Sequence, residues 1–384
     1  MIANVDGTGS EGASINHVLG LLRDGSVHTR ASLAAATGLA RSTAAARVDA
    51  LDELGLIRHI GRAASTGGRR SSQFAFNFDA RLIVAVDLGA AHCRVAVTDL
   101  KATILRSKRV ELRISSGPEL VLDAVIDMAE RLIADLGRTT GDVAGVGIGL
   151  PGPVEHTTGR PSNPPIMPGW HDYDVPGHLR GTFDVPTLVD NDVNIMALGE
   201  RSVAWADIDD LVFIKVATGI GAGLVLSGLL QRGAQGIAGD MGHMLVTSEG
   251  RFGVLEDIAS GSALAAALRE TGLDAEDARA VARLARQGSG HALRAVRQAG
   301  RDIGAALVNL ICLTNPAVVV LGGGLAVAGS ELLAGVREVV YSQSLPLATT
   351  DLQIVLSHAG DDAAIVGASL LAIEHVFASD TAGA

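Results

Sequence analysis

The pattern that most restricts what this chain can fold into is an apolar strand that runs into a glycine turn, and it occurs twice. Leu82 to Asp87 is a buried-type run closing in Asp-Leu-Gly, and Leu211 to Val216 leads into Thr218-Gly219-Ile220-Gly221-Ala222-Gly223. Around the first, Arg94 to Thr98 and Thr103 to Leu112 read as successive hairpin strands, Glu119 to Leu136 as a helix, and Val143 to Leu150 as a strand entering Pro151-Gly152-Pro153. Around the second, Leu224 to Leu226 reads as a strand, several Ala-rich helices fall between Ser262 and Leu313, and Val318 to Leu321 is a further strand. Two such sets predict two α/β halves with a cleft between them, each glycine turn facing a ligand held there.

The residues ahead of Arg81 follow another rule. Ile15, Val18, Leu19, Leu21 and Leu22 mark one amphipathic helix, Ser32 to Thr37 a second closed by Gly38, and Arg41 to Leu54 a third closed by Gly55. Leu56, Ile57 and Ile60, a polar stretch Ala63 to Arg70, and alternating Phe74, Phe76 and Phe78 then predict a two-stranded wing. Helix, helix, turn, helix, wing is the order of a winged helix-turn-helix, whose third helix enters a major groove by its first residues. Arg41, Ser42 and Thr43 stand there, with Arg47 one turn on and Arg69 and Arg70 at the wing tip. Small polar residues and arginines in these places point to double-stranded DNA, and a small helical protein-interaction module is the alternative.

Charge separates the two parts. The chain carries a net charge of -11, which argues against coating nucleic acid or an anionic membrane over its whole surface. Residues 1 to 77 hold eight Lys and Arg against six Asp and Glu, leaving 23 against 36 for the rest, a slightly basic head on an acidic body. With 384 residues, 48% of them apolar, the chain can bury a large core in more than one domain. Two distant cysteines, Cys93 and Cys312, exclude a disulfide scaffold and read as core residues, and no secretory signal is visible in Met1 to Gly12. A cytoplasmic protein is expected. The charge-free run Ile303 to Ser330 is broken by Asn309, Thr314, Asn315-Pro316 and Gly322-Gly323-Gly324, so it reads as a helix-turn-strand core rather than a membrane span.

A series of short segments runs along the body in fixed order: Asp87-Leu-Gly-Ala-Ala91, Gly149 to Val154, Asn163 through Trp170, Val189 to Asn194 with Glu200, and Thr218 to Gly223. Further on come Gly239-Asp-Met-Gly-His243, Leu255-Glu256, and Asn315-Pro316 through Gly324. In their joint order and spacing the chain resembles the ROK family of bacterial sugar repressors and sugar kinases. The resemblance implies an α/β, actin-like (ribonuclease H-like) two-lobed sugar-kinase fold behind the winged helix-turn-helix. On that basis the head spans 1–78. The first lobe spans 81–194, with a C-terminal helix 361–378 packing back on it, and the second spans 195–360. The head places the chain with the repressors. It implies a regulator of sugar metabolism or transport genes that binds an operator, as a homodimer or a dimer of dimers, under control of a sugar or sugar phosphate.

The resemblance also implies the effector contacts: Asn163, Asn191 and Asp192 toward sugar hydroxyls, His243 and Glu256 toward the anomeric side, and Asp240 as a further effector-binding residue. Carboxylates, amides and imidazole suit a ring of hydroxyl donors and acceptors. Asn191 or Asp192 as a helix N-cap, and Glu256 as a first-turn acid, are the structural alternatives. Asp192 is expected to serve the sugar and not the fold. The alternative function is an ATP-dependent sugar kinase with Asp192 as general base and ATP with Mg²⁺ on the glycine turns.

Three departures from the family pattern count. Asp240 stands where a glutamate is usual. Thr247 to Val254 lacks the cysteine knuckle that binds zinc, so no metal is expected, and the segment is expected to be held by packing alone. Ala90-Ala91 replaces Gly-Thr in the phosphate loop, which removes a hydroxyl and adds a methyl where phosphate must approach backbone.

Overall fold

The computed structural model describes residues 17–62 and 71–378. A helical segment over 17–22 is followed by helices Arg30–Thr37 and Arg41–Glu53. The first of these starts two residues earlier than its apolar period indicates. Thr29 is the cap: its hydroxyl takes the Ser32 N–H at 3.1 Å, and the Ser32 hydroxyl takes the Thr29 N–H at 2.8 Å. Gly38 ends it with φ +70°, where a side chain would be strained. Strands Ile57–Arg62 and Ser72–Phe76 pair antiparallel, and His28–Thr29 adds a third strand on the far edge of Ser72–Phe76. Two residues carry no period, so that strand is invisible in the sequence. Val18, Leu22, Leu33, Val48, Leu51, Leu56, Phe74 and Phe76 are buried together in this part of the chain.

Two five-stranded sheets follow, with one connectivity. In the first, Leu82–Leu88, His92–Thr98 and Ile104–Glu111 form an antiparallel meander. Val143–Leu150 joins parallel to Leu82–Leu88, and Thr187–Asn191 joins parallel to Val143–Leu150. In the second, Leu211–Val216, Ile220–Leu226 and Leu229–Gln231 form the meander, with Val318–Gly322 and then Gln353–Leu356 added in parallel. Parallel steps need a crossover, and helix Pro118–Ala134 provides it in the first half. Its Val121, Leu122, Val125, Ala129, Leu132 and Ile133 form one apolar stripe against the sheet, each large side chain worth about 1.5–3 kcal/mol of burial. In the second half the crossover is the helical run from Gly261–Glu270 through Ala278–Arg286 to Gly290–Thr314.

The glycine stretch Thr218 to Gly223 is mostly strand rather than loop. Only Thr218-Gly219 turn, and Ile220 to Gly223 pair with Val216 back to Phe213. The reason for glycine here is packing: a Cβ on Gly223 would lie 2.6 Å from both the Val193 carbonyl oxygen and the Ala197 Cβ. Helix Asp192–Ala204 can rest on the strand only because that side chain is missing.

The last helix, Ala363–Ala378, begins two residues later than expected because Gly360–Asp362 form a tight turn. It packs on helix Asp192–Ala204 and on strands Leu82–Leu88 and Val143–Leu150. A Cβ on Gly367 would overlap the Ile195 carbonyl oxygen, and one on Gly199 would overlap that of Ala363. Buried Glu200 fixes the approach by accepting from the Ser357 hydroxyl at 2.6 Å and the His358 and Ala359 N–H groups at 2.8 and 3.0 Å. The far end of the helix enters the apolar cluster of the head. Phe377 meets Phe76 edge-on with ring centroids 6.0 Å apart, and the Arg23 guanidinium lies 4.7 Å over the Phe377 ring.

Cys93 is a core residue, with burial pushing its thiol up to about 12. Cys312 is not: it is exposed on helix Gly290–Thr314, whose apolar face turns Ile311 inward instead. That helix closes at Asn315 with φ +44°, which breaks the long uncharged run, and among the described residues no helix is long and apolar enough to cross a membrane.

Gly367→Ala is expected to lower stability by about 1–3 kcal/mol, because the two backbones must part to admit one methyl. Urea unfolding measures it, and a loss below about 0.5 kcal/mol would mean that the contact can yield freely.

Candidate functional site

Strand Thr187–Asn191 carries its last residues to the place where the two sheets meet. Asn191 is the cap of helix Asp192–Ala204. Its Oδ1 accepts the Val193 N–H at 2.9 Å, and its Nδ2 donates to the Gly152 carbonyl at 2.9 Å. The capping alternative read from the sequence therefore describes Asn191, and both ends of its amide already hold backbone. Asp192 opens the helix, is buried, and pairs with the Lys215 ammonium from the second sheet. The expectation that Asp192 serves only a sugar is corrected by this pair, since a buried carboxylate and its cation also support the fold. Burial pushes the Asp192 carboxyl up, Lys215 pulls it back, and the nearby charge of Asp87 pushes it up again.

Asp87 stands at the end of strand Leu82–Leu88, and its Oδ2 lies 3.1 Å from His92 Nε2. Burial opposes its charge, but the hydrogen bond with His92 and the positive charges of His92, Lys215 and Arg109 bring the carboxyl below its usual range. The His92 ring is folded over Gly89, where any Cβ would strike it. In strand Thr187–Asn191, one residue before Asn191, the buried Asp190 holds Arg232 through Nε at 2.7 Å and Asn194 through Nδ2 at 2.7 Å.

The second sheet supplies the opposite wall. Glu256, in the first turn of helix Leu255–Ala259, accepts the Ile220 N–H at 2.8 Å and so fixes the Gly219-Ile220 turn. Asp240 and His243 flank a single tight turn over it and pair at 2.9 Å between Oδ1 and Nδ1, although Asp240 is the shorter acid. The Asp240 hydrogen bond and charge, with Glu256 and Asp257 nearby, raise the His243 imidazole above its ordinary value. Asn163 stands apart, exposed at φ +43°, with its N–H on His171 Nδ1 at 3.3 Å. The next residue in the chain, Pro164, packs against Gly152, whose carbonyl accepts from Asn191 Nδ2.

Lys215, His92 and the Asp190–Arg232 pair were missed in the sequence reading. The signal for Lys215 is present: it is the one charged residue in an otherwise apolar strand, Leu-Val-Phe-Ile-Lys-Val. No comparable signal marks His92, because what it touches is decided by the fold of the turn.

The segment expected to bind no metal is an ordered hairpin, Leu245–Ser248 with Arg251–Val254, turning at Glu249-Gly250 in the left-handed region. Buried Val246 and Ser248 seat it on the body, and the Ser248 hydroxyl also accepts from Gln298 Nε2 at 3.4 Å, so packing is not its sole support. Among the described residues no group of three or more His, Cys, Asp or Glu is placed to hold a metal ion.

On the head, Arg41 and Ser42 are exposed and Thr43 and Arg47 half-buried at the start of helix Arg41–Glu53. The cap position is Ala40, whose side chain makes no hydrogen bond, so no cap side chain takes up the first N–H groups. Arg69 and Arg70 lie outside the described residues.

The family model described as the ROK family matches residues 83–375. A xylose repressor of Bacillus spizizenii is 30% identical over 356 residues, covering 90% of this chain and 91% of that protein. Among solved structures, a ROK family transcriptional regulator homologous to the E. coli MLC protein superposes with a TM-score of 0.79 at 23% identity, over 96% of this chain and 97% of that one. A ROK family glucokinase from Streptomyces griseus, solved with glucose and AMPPNP, gives a TM-score of 0.66 at 27% identity over 76% of this chain and 99% of that one. This chain belongs to the ROK family, and its two sheets have the mixed α/β fold of that family's sugar kinases.

Proton NMR of the His243 ring should show a titration midpoint above the ordinary histidine value, returning toward it in Asp240→Asn. With the folded value raised, the contact favours the folded state fully below the unfolded pKa and is lost as pH rises through the folded one. An unshifted midpoint in the parent protein would remove the Asp240 contact.

Proposed function

We propose that this protein is a DNA-binding transcriptional repressor of sugar metabolism or transport genes, and that a sugar or sugar derivative in the cleft controls it. The observation that carries this reading is coverage. The likeness to a xylose repressor extends over 90% of the chain, whereas the likeness to the glucokinase covers 76%. The added part is the head, which we read as a winged helix-turn-helix over 1–78, ahead of lobes at 81–194 with the C-terminal helix, and 195–360.

In this reading the start of helix Arg41–Glu53 enters the major groove. Arg41 and Ser42 face outward, and the N–H groups that no side chain caps are ready for phosphate or base-edge acceptors. Arg69 and Arg70 contact the backbone or a narrow minor groove from the wing. Asp192, Asp240, His243 and Glu256 take the hydroxyls of the effector, with Asn191 shaping the floor and Asn163 closing over it. A homodimer, alone or paired into a dimer of dimers, reads a two-fold operator, because one small head contacts few base pairs. The protein acts in the cytoplasm.

The chain is not an enzyme on this reading. Ala90-Ala91 lacks the hydroxyl of the phosphate loop, and the His92 ring lies over Gly89 in that same turn.

Arg41→Ala is expected to cost about 1–3 kcal/mol on the operator and much less on random DNA. Equal losses in a binding assay on both would reduce Arg41 to a phosphate contact. Asp192→Asn should bind operator but respond to sugar about ten- to a hundred-fold more weakly, since charge-assisted bonds to hydroxyls are worth about 1.5–3 kcal/mol. It should also melt earlier, because Lys215 loses its partner. Sugar-dependent ADP production above about one turnover per minute would overturn the non-enzymatic reading.

A further inference from the structure

Asp87, near the end of strand Leu82–Leu88, and Asp192, the first residue of helix Asp192–Ala204, both border Gly149: Asp87 is its register partner, and a Cβ there would lie 3.4 Å from the Asp192 α-carbon, so the Asp87 charge is felt at the Asp192 carboxyl. Two carboxylates so placed, Asp192 buried and Asp87 half-buried, repel, and both stay ionised only with a cation between them. A kinase would use Mg²⁺, a hard ion that takes carboxylate and phosphate oxygens and tolerates little else in its coordination sphere.

The residues present do not fit that ion. Lys215 pairs with Asp192, and its charge also reaches Asp87. Its neighbours across both adjoining strands, Gly221 and Gly322, have no side chains; the Phe213 ring fills the place of one and Val193 faces the other, so no cross-strand side chain stands beside the lysine. The lysine side chain is only 22% exposed, so its stem lies along the sheet and its head is directed into the site. One oxygen of Asp87, Oδ2, is taken by His92, whose Nε2 lies 3.1 Å away with the ring folded over Gly89.

We propose that Lys215 is a built-in counter-ion, standing where Asp87 and Asp192 would otherwise hold a divalent cation, and that the cleft consequently binds its effector without metal or nucleotide. The proposal rests on the reading of the cleft as a sensor and adds the chemistry of its floor. A protonated lysine supplies the positive charge, leaves the second oxygen of Asp192 as an acceptor, and adds ammonium N–H donors for a hydroxyl. The ligand class that fits is a neutral polyol.

The test is titration of MnCl₂ alone into the full chain, with free Mn²⁺ read by electron paramagnetic resonance. The parent should take none at Mn²⁺ below about 1 mM, a range in which weak oxygen sites fill. Lys215→Gln should bind one Mn²⁺ per chain at least about ten-fold more tightly than the parent, Lys215→Arg should behave as the parent, and K215Q with D192N should bind none. Stoichiometric Mn²⁺ on the parent below about 0.1 mM overturns the proposal, as does a Lys215→Gln protein that folds and binds no more tightly than the parent. A second measurement does not depend on Lys215→Gln folding. A buried, ion-paired ammonium gives a slowly exchanging ¹⁵Nζ resonance, so the parent should show one that Lys215→Arg deletes and Asp192→Asn shifts or broadens. Its absence from the parent overturns the proposal. Neither measurement uses sugar or DNA. Failure here leaves the repressor reading standing, and failure to bind operator or to respond to sugar sinks that reading without moving the Mn²⁺ result.

Discussion

The contact on which the rest of the structure depends is backbone against backbone. Helices Asp192–Ala204 and Ala363–Ala378 approach so closely at Gly199 and Gly367 that carbonyl oxygens fill the space of missing side chains. The chain's last helix is thereby held at the centre of the molecule, against strands of the first sheet and against a helix that rests on the second. The pair runs antiparallel, Gly199 meeting Ala363 and Gly367 meeting Ile195, so Asp192 at the start of one helix and Phe377 near the end of the other, in the apolar cluster of the head, lie toward the same end. Close-packed interiors have little slack, so continuous packing joins the surroundings of Asp192 to the head.

The second organising rule is that each acid deep in the body has its own partner. Asp192 has Lys215, Asp190 has Arg232, Asp87 has His92, and Glu200 has a hydroxyl and two backbone N–H groups. An unpaired buried charge would cost several kcal/mol, so these partners are conditions for the fold as well as features of the site. Asp190–Arg232 and Asp192–Lys215 also join the first half to the second, so the halves are electrostatically fastened at these two pairs.

Much of the architecture was legible. The strands Leu82–Leu88, Val143–Leu150, Leu211–Val216 and Val318–Gly322 are long apolar runs, and such runs signal buried strands wherever glycine or proline bounds them. The edge strands His28–Thr29, Leu229–Gln231 and Gln353–Leu356 were not legible, because two to four residues hold less than a full pattern. Thr218 to Gly223 misled for a different reason. Glycine marks both turns and close approaches, and only the neighbour, here Val193 and Ala197 on a helix, tells which applies. Cys312 misled likewise, since an uncharged residue within a helix has an inside or an outside only once that helix is seated.

The sequence by itself determined the chain's class: two α/β halves with matching glycine turns, a slightly basic head and an acidic body. These follow from period, composition and local turn chemistry, which act over a few residues. Tertiary structure alone decided which polar residues are spent and on what. Asn191 is used up as a cap, Glu256 bolts a turn, and Asp192 meets a lysine 23 positions away on the other sheet. Charges choose partners by distance in space, and that distance exists only after the strands have paired and the glycines have let the helices in.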